Sequence, residues 1–191
     1  LDFPAVETAT LSNGVKVHLA RRTTVPAVRI AVSFDAGMAS DRKDKIGLAS
    51  LMLSLLDEGT TTRSTIQIAE EQERLGASIS TGQSLDRTSV SLYALKANLN
   101  PSLDLVQDVI RNPSFPPSEV ERLRTSQLTA IASERTQPGG LANRAIFPLL
   151  YGPAHPYGVG SSGRGDEATV KAVTRDDLAA RAHGEIPVVG D

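Results

Sequence analysis

The chain has 191 residues, of which 40% are hydrophobic and 22% charged, a balance typical of an ordinary globular protein and not of a disordered or fibrous one. The chain contains 20 Lys and Arg against 22 Asp and Glu in total, so it lacks the excess of basic residues that nucleic-acid binding requires. It has no cysteine, which excludes disulfides and thiolate sites. No apolar run approaches the roughly 20 residues that a membrane-spanning helix needs.

Two pairs of strands are predicted from alternating polar and apolar residues. After a tight turn at Asn13-Gly14, the alternation covers residues 15–19 and then 28–34, and we expect these two strands to form a hairpin. The same pattern returns over residues 77–84 and 88–96, on either side of a polar turn. The sequence therefore predicts a second hairpin there.

The first two helices lie between these strand pairs. Apolar residues at helical spacing cover residues 46–57 so completely that this helix should be buried on most sides. An amphipathic helix should follow, with Ser64 and Gln67 as its capping box and Gly76 as its left-handed C-terminal residue.

Two longer helices are predicted after the second strand pair. Asn100 is placed to cap the first, which Asn112-Pro113 should end. The next should begin near Pro117, with Ser118 and Glu121 as a capping box. Both carry an apolar stripe, so we expect them to pack on the sheet.

Shorter helices and strands are predicted for the last third of the chain. A helical stretch interrupted by Pro148 leads into a loop over residues 151–166 that is rich in Gly and Pro. A short helix should open at Thr174, and residues 186–191 resemble a strand. The predicted elements follow the order strand, strand, helix, helix, and this order occurs twice. It predicts one α+β domain over residues 1–191, in which an antiparallel sheet has helices packed on one face.

The helix at residues 47–55, GLASLMLSL, followed by Glu58-Gly59-Thr60, resembles the hallmark helix of the M16 family of insulinase, pitrilysin and mitochondrial processing peptidase. In that family the helix contains G-L-A-H-x-x-E-H and precedes a G-T loop. The two histidines bind zinc from one helix face, and the Glu acts on the zinc-bound water. In this chain Ser50 and Ser54 occupy the histidine positions and Leu53 the position of the Glu.

The resemblance extends over nearly the whole chain, through LSNGVKV, FDAG, LGA, NPSF and HPYG at their expected places. Active family members take a third zinc ligand, a Glu, from the long helix, and alignment places Ala130 there, with Glu134 one turn later. The resemblance therefore implies an M16 metallopeptidase-like fold with no catalytic residue, no cofactor and no metal ligand at Ser50, Leu53, Ser54 or Ala130.

The family is built from α/β units of about this size, two in each half of the protease, and the halves close on a peptide. The resemblance implies that this chain is a fragment of a bacterial M16-like zinc peptidase, the first domain of its non-catalytic half, inactive alone. Its partners would be a zinc-bearing HxxEH half or subunit and an extended peptide substrate, in the periplasm or else in the cytoplasm. The alternative is a structural or assembly protein of the same fold, like the core subunits of the respiratory bc1 complex.

The polar residues of the degenerate helix and the histidines have simpler interpretations as well. Ser50, Ser54 and Asp57 share one stripe. Without a histidine nearby we expect the serines to bond to backbone carbonyls or to face a cavity, and not to act as nucleophiles. His18 should face solvent or a cross-strand neighbour. His155 should help to fix the conformation of its loop.

Overall fold

The computed structural model describes residues 4–185, so the strand predicted over 186–191 lies outside the described residues. The strands are β1 Val6–Thr10, β2 Lys16–Ala20, β3 Ala27–Phe34, β4 Ser78–Gln83 and β5 Thr88–Leu95. The α-helices are α1 Leu48–Leu55, α2 Thr65–Leu75, α3 Leu99–Arg111, α4 Pro117–Thr136, α5 Pro138–Tyr151, α6 Glu167–Lys171 and α7 Arg175–Glu185. Single turns of 3-10 helix lie at Met38–Ser40, Lys43–Lys45 and Lys96–Asn98.

The three-stranded sheet has the order β3-β5-β4 and is antiparallel throughout. Alternate residues of the central strand β5 face the helices and are buried, namely Thr88, Val90, Leu92 and Ala94. The hairpin predicted between the strands at 77–84 and 88–96 is therefore confirmed as β4 and β5. The predicted fold class, an α+β domain with an antiparallel sheet against helices, is confirmed as well.

The hairpin predicted between residues 15–19 and 28–34 is wrong. Strand β2 pairs instead with β1, in a separate two-stranded sheet in which Thr8 lies opposite His18. Strand β3 pairs with β5, so that Val32 lies opposite Val90. The physical reason is that the Asn13-Gly14 turn joins the strands on either side of itself, and the strand before it was not recognised.

The helix boundaries follow the capping signals only in part. Ser64 and Gln67 form the predicted capping box, and Gly76 ends α2 with a φ of 60°. The cap predicted at Asn100 is wrong, because the preceding 3-10 turn runs directly into α3 and the helix begins at Leu99. The capping box predicted for Ser118 is also wrong, since that residue already lies within the first turn of α4.

Two features of the last third differ from the sequence prediction. Helix α5 continues through Pro148, where an interruption was expected. Helix α6 was not predicted, although Asp166 caps it through hydrogen bonds from the N–H groups of Ala168 and Thr169. The predicted helix start at Thr174 is confirmed, because its Oγ1 accepts a hydrogen bond from the Asp177 N–H at 3.1 Å.

Helix α1 lies at the centre of the core, as its composition predicted. Leu51, Met52, Leu55 and the following Leu56 are almost fully buried, and α1 packs against α4, α7 and β4. Burial of each such side chain contributes about 2 kcal/mol to folding. Within residues 4–185, none of the helices combines the length and the hydropathy needed to cross a bilayer.

Candidate functional site

The degenerate helix α1 begins at a buried carboxylate. Asp41 has no exposed side-chain surface, and its carboxylate accepts hydrogen bonds from the N–H groups of Gly47 at 2.9 Å and Ala49 at 3.1 Å. Burial raises the pKa of Asp41, against the opposing effect of the Arg181 guanidinium 3.4 Å away. Because Arg181 belongs to α7, this pair fixes the start of α1 against that helix.

A second contact fixes α1 beside the long helix α4. The Nε2 of Gln127 donates to the carbonyl oxygen of Gly47 at 3.1 Å and to that of Arg164 at 2.8 Å. Ala130 lies three residues further along α4, on the same side of that helix as Gln127. The predicted motif positions therefore occupy two adjoining helices.

At the two histidine positions the structure places hydroxyl groups. Ser54 is exposed, and its Oγ donates to the carbonyl oxygen of Ser50 at 3.0 Å, which confirms the predicted bond to a backbone carbonyl. Leu53, at the position of the Glu, is only 4% exposed. No histidine among residues 4–185 forms a hydrogen bond to either serine. The absence of a catalytic role for these residues and for Ala130 stays a prediction.

A cavity of about 170 Å³ opens beside these residues. Helix α1 lines it with Ser50, Leu53 and Ser54, and strand β4 lines it with Thr81, Gly82 and Gln83. The Oγ1 of Thr81 donates to the Leu53 carbonyl oxygen at 3.4 Å, so the strand and the helix adjoin here. None of the six lining residues carries a charge. The contribution of β4 was missed in the sequence, although 79, 81 and 83 share a strand face.

Glu134, one turn after Ala130, binds side chains that lie outside the motif positions. Its carboxylate pairs with Arg144 at 3.0 Å, with Arg164, and with the Ser162 hydroxyl at 3.3 Å. Burial alone would raise the pKa of Glu134, but hydrogen bonds from these groups outweigh it and lower the pKa. The carboxylate therefore holds α4 to α5 and to the 152–166 loop.

The residues present do not fit a zinc ion. Protein zinc sites use imidazole, thiolate and carboxylate ligands, whereas the four motif positions hold two hydroxyls and two aliphatic side chains. In the part of the chain that the structure describes, no three or more His, Asp or Glu side chains converge as a metal site would require.

We expect the purified chain to retain far less than one equivalent of zinc after dialysis, measured by inductively coupled plasma mass spectrometry. The triple variant Ser50→His, Ser54→His, Ala130→Glu should retain about one equivalent, because it restores two imidazoles and a carboxylate. The matched control Ser50→His, Ser54→His should bind zinc more weakly. Stoichiometric zinc in the unchanged chain, or none in the triple variant, would contradict the assignment of these positions.

His18 and His155 form the contacts that were predicted for them. The Nδ1 of His18 lies 3.1 Å from the Oγ1 of its cross-strand neighbour Thr8. His155 accepts a hydrogen bond from the Tyr157 N–H at 3.0 Å, and its ring stacks on Tyr151 with 5.4 Å between the centroids. Neither residue lines the cavity beside α1.

Comparison with known proteins agrees with this architecture. The probable mitochondrial-processing peptidase subunit beta of Arabidopsis thaliana is 26% identical over 179 residues, which cover 93% of this chain and 33% of the relative. The uncharacterized zinc protease YmxG of Bacillus subtilis is 24% identical over 174 residues, which cover 91% of this chain and 42% of the relative. The chain thus spans less than half the length of these relatives.

Solved structures also match this chain, which again spans less than half of their length. The peptidase M16 inactive domain from Pseudomonas fluorescens superposes with a TM-score of 0.87 at 29% identity, covering 93% of this chain and 43% of that one. A protease from Helicobacter pylori shares the fold, with a TM-score of 0.81 at 20% identity over 93% of this chain and 42% of that one. The family model for insulinase (peptidase family M16) matches residues 16–146. The chain therefore belongs to the M16 peptidase family, and it lacks the family's HxxEH motif.

Proposed function

We propose that this chain is the first domain of the non-catalytic half of a bacterial M16 peptidase, and that this half closes the peptide chamber of a zinc-bearing companion. One observation carries the proposal: the fold is retained while Ser50, Leu53, Ser54 and Ala130 replace the residues that would hold and use the metal. Such a half contributes binding energy remote from the scissile bond, which can position the peptide at the companion's zinc.

An open sheet edge next to the cavity supports contact with a peptide. Strand β4 is an outer strand of the sheet, and the N–H of Ile79 leaves the sheet on its open side, where the Oε1 of Gln72 accepts it at 2.8 Å. Main-chain groups of an antiparallel strand alternate between its two sides, so those of Thr81 and Gln83 also face the open side. This edge offers an extended peptide the hydrogen bonds of an added strand.

An apolar surface on α5 supports association with another protein. Although the sequence of α5 is PGGLANRAIFPLLY, none of its residues is buried. Its exposed side carries Leu141, Ile146, Leu149 and Leu150, while its only charged residue, Arg144, faces Glu134. Exposed apolar patches on a protein surface mark interaction sites. We assign this surface to the companion half.

The test measures association of the complete half with its zinc-bearing companion by sedimentation velocity. Leu149 is 82% exposed on α5, and Leu149→Glu should weaken association about tenfold or more, because a charge would enter an apolar contact. Ile66 on α2 is 70% exposed, and the matched change Ile66→Glu should leave association intact. Equal affinities for the two variants would remove α5 from the interface.

A further inference from the structure

We infer that Gln72 is a positioning residue for the bound peptide, because its side chain blocks one end of the open edge of β4. The block fixes where along the edge a peptide strand can pair. The inference rests on the proposed function, since it assumes a peptide on that edge.

The first step concerns the main-chain groups that the edge offers. Ile79, Thr81 and Gln83 direct theirs to the open side of β4, because main-chain groups alternate along an antiparallel strand. Of these three N–H groups, only that of Ile79 has a hydrogen-bond partner among residues 4–185. This partner is the Oε1 of Gln72 on α2, at 2.8 Å. The other two N–H groups stay available to a peptide.

The second step concerns what a peptide would need at Ile79. A strand added to this edge pairs by placing its own carbonyl oxygens at the N–H groups of β4. At Ile79 the carboxamide oxygen of Gln72 already occupies that place. Pairing therefore covers Thr81 and Gln83 and stops before Ile79.

The end of α2 holds Gln72 in this position. The main-chain carbonyl oxygen of Gln72 accepts the Ala77 N–H at 2.9 Å, and Gly76, with a φ of 60°, turns the chain back toward β4. Because the backbone beneath the side chain is fixed, Gln72 loses little further freedom when it binds Ile79. A peptide can displace it only by breaking an existing hydrogen bond.

The block also decides which end of the edge the peptide uses. Residues 81–83 border the hollow beside α1, where active family members hold their metal. Open strand edges pair readily with other chains, so without a block a peptide could slide toward the start of β4. Gln72 thus keeps the peptide beside the motif helix.

The experiment follows amide protons by nuclear magnetic resonance while the peptide TVTVT is added to the chain. In the unchanged chain the Thr81 and Gln83 amides should gain protection from hydrogen exchange, and the Ile79 amide should be protected throughout. In Gln72→Ala the Ile79 amide should lose protection and regain it when the peptide binds. The affinity of this variant for the peptide should rise about fivefold, from one added hydrogen bond. Alanine favours helix, so α2 should stay formed.

Two matched variants serve as controls. Gln72→Glu keeps an oxygen that can accept the Ile79 N–H, so it should behave as the unchanged chain does. Glu73 is exposed on the neighbouring position of α2, and Glu73→Ala should leave both the exchange pattern and the affinity unchanged.

The outcomes separate the block from the proposed peptide contact. If the peptide does not protect Ile79 in Gln72→Ala, or if its affinity does not rise, Gln72 has only a structural role and the inference is wrong, while the edge contact stands. If the peptide protects neither Thr81 nor Gln83 in any of these proteins, both the inference and the peptide contact on β4 are wrong. Association with the companion half, measured separately, reports on the wider proposal.

Discussion

Replacing Gly47 by alanine is expected to lower the free energy of unfolding by at least about 3 kcal/mol. Gly47 precedes α1 with a φ of 100°, a conformation that costs other residues roughly 1 kcal/mol. A Cβ atom there would also lie only 2.4 Å from the carbonyl oxygen of Arg164. Because that neighbour is backbone, the start of α1 or the loop around Arg164 has to move.

Gly14 provides the matched control, since it has a similar φ of 85° and no atom within 4 Å of the added Cβ. Urea denaturation followed by circular dichroism should show a loss of about 1 kcal/mol for Gly14→Ala, from the backbone conformation alone. The difference between the two variants measures the close approach at α1. Equal losses would show that the contact with Arg164 does not constrain the helix.

Replacing Asp108 by alanine is expected to cost about 3 kcal/mol at neutral pH, or roughly 10 °C in the unfolding midpoint. Asp108 is buried on α3, where it accepts hydrogen bonds from the hydroxyls of Thr60 and Thr62 at 2.7 and 2.8 Å. It also accepts bonds from Arg63 at 2.5 Å and Asn112 at 2.8 Å. Its removal leaves these donors without their acceptor and frees the G-T loop after α1 from α3.

The pH dependence follows from the same contacts. Burial alone would raise the pKa of Asp108, but the hydrogen bonds from Asn112 and the loop lower it from 3.8 to about 2. A lowered pKa adds stability above the unfolded value, and this stability disappears as the pH falls toward the folded value. About half of the contribution should remain at pH 3.

Thermal unfolding at pH 7 and pH 3 tests this expectation. The difference in unfolding midpoint between the unchanged chain and Asp108→Ala should be smaller at pH 3 than at pH 7. Asp104 is exposed on the same helix, and Asp104→Ala should change the midpoint little at either pH. A gap that stays constant would mean that the charge of Asp108 contributes nothing.

Local sequence patterns correctly predicted those elements that depend on residues close together in the chain. The apolar run of α1, the Ser64 capping box and the alternation in β4 and β5 all depend on neighbours in sequence, and all three are confirmed. Strand pairing depends on contacts distant in sequence, and the partner of β3 was predicted wrongly for that reason. The cap at Asn100 failed because the preceding turn was already helical.

The candidate site was predicted only as far as a motif marks it. Ser50, Leu53, Ser54 and Ala130 could be located because the surrounding helix pattern is retained. Gln83 could not be assigned to the site, because its place in the cavity depends on the packing of β4 against α1. Asp41 and Arg181 were missed for the same reason, since 140 residues separate the two partners in sequence.

We propose that this chain serves peptide hydrolysis without performing it. The most direct measurement is the peptide-cleavage rate of the HxxEH companion, with and without the complete half that contains this domain. We predict a rate near zero for the companion alone and a large rise when the half is added. An unchanged rate with the complex still formed would contradict the account and would favour a structural role for this fold.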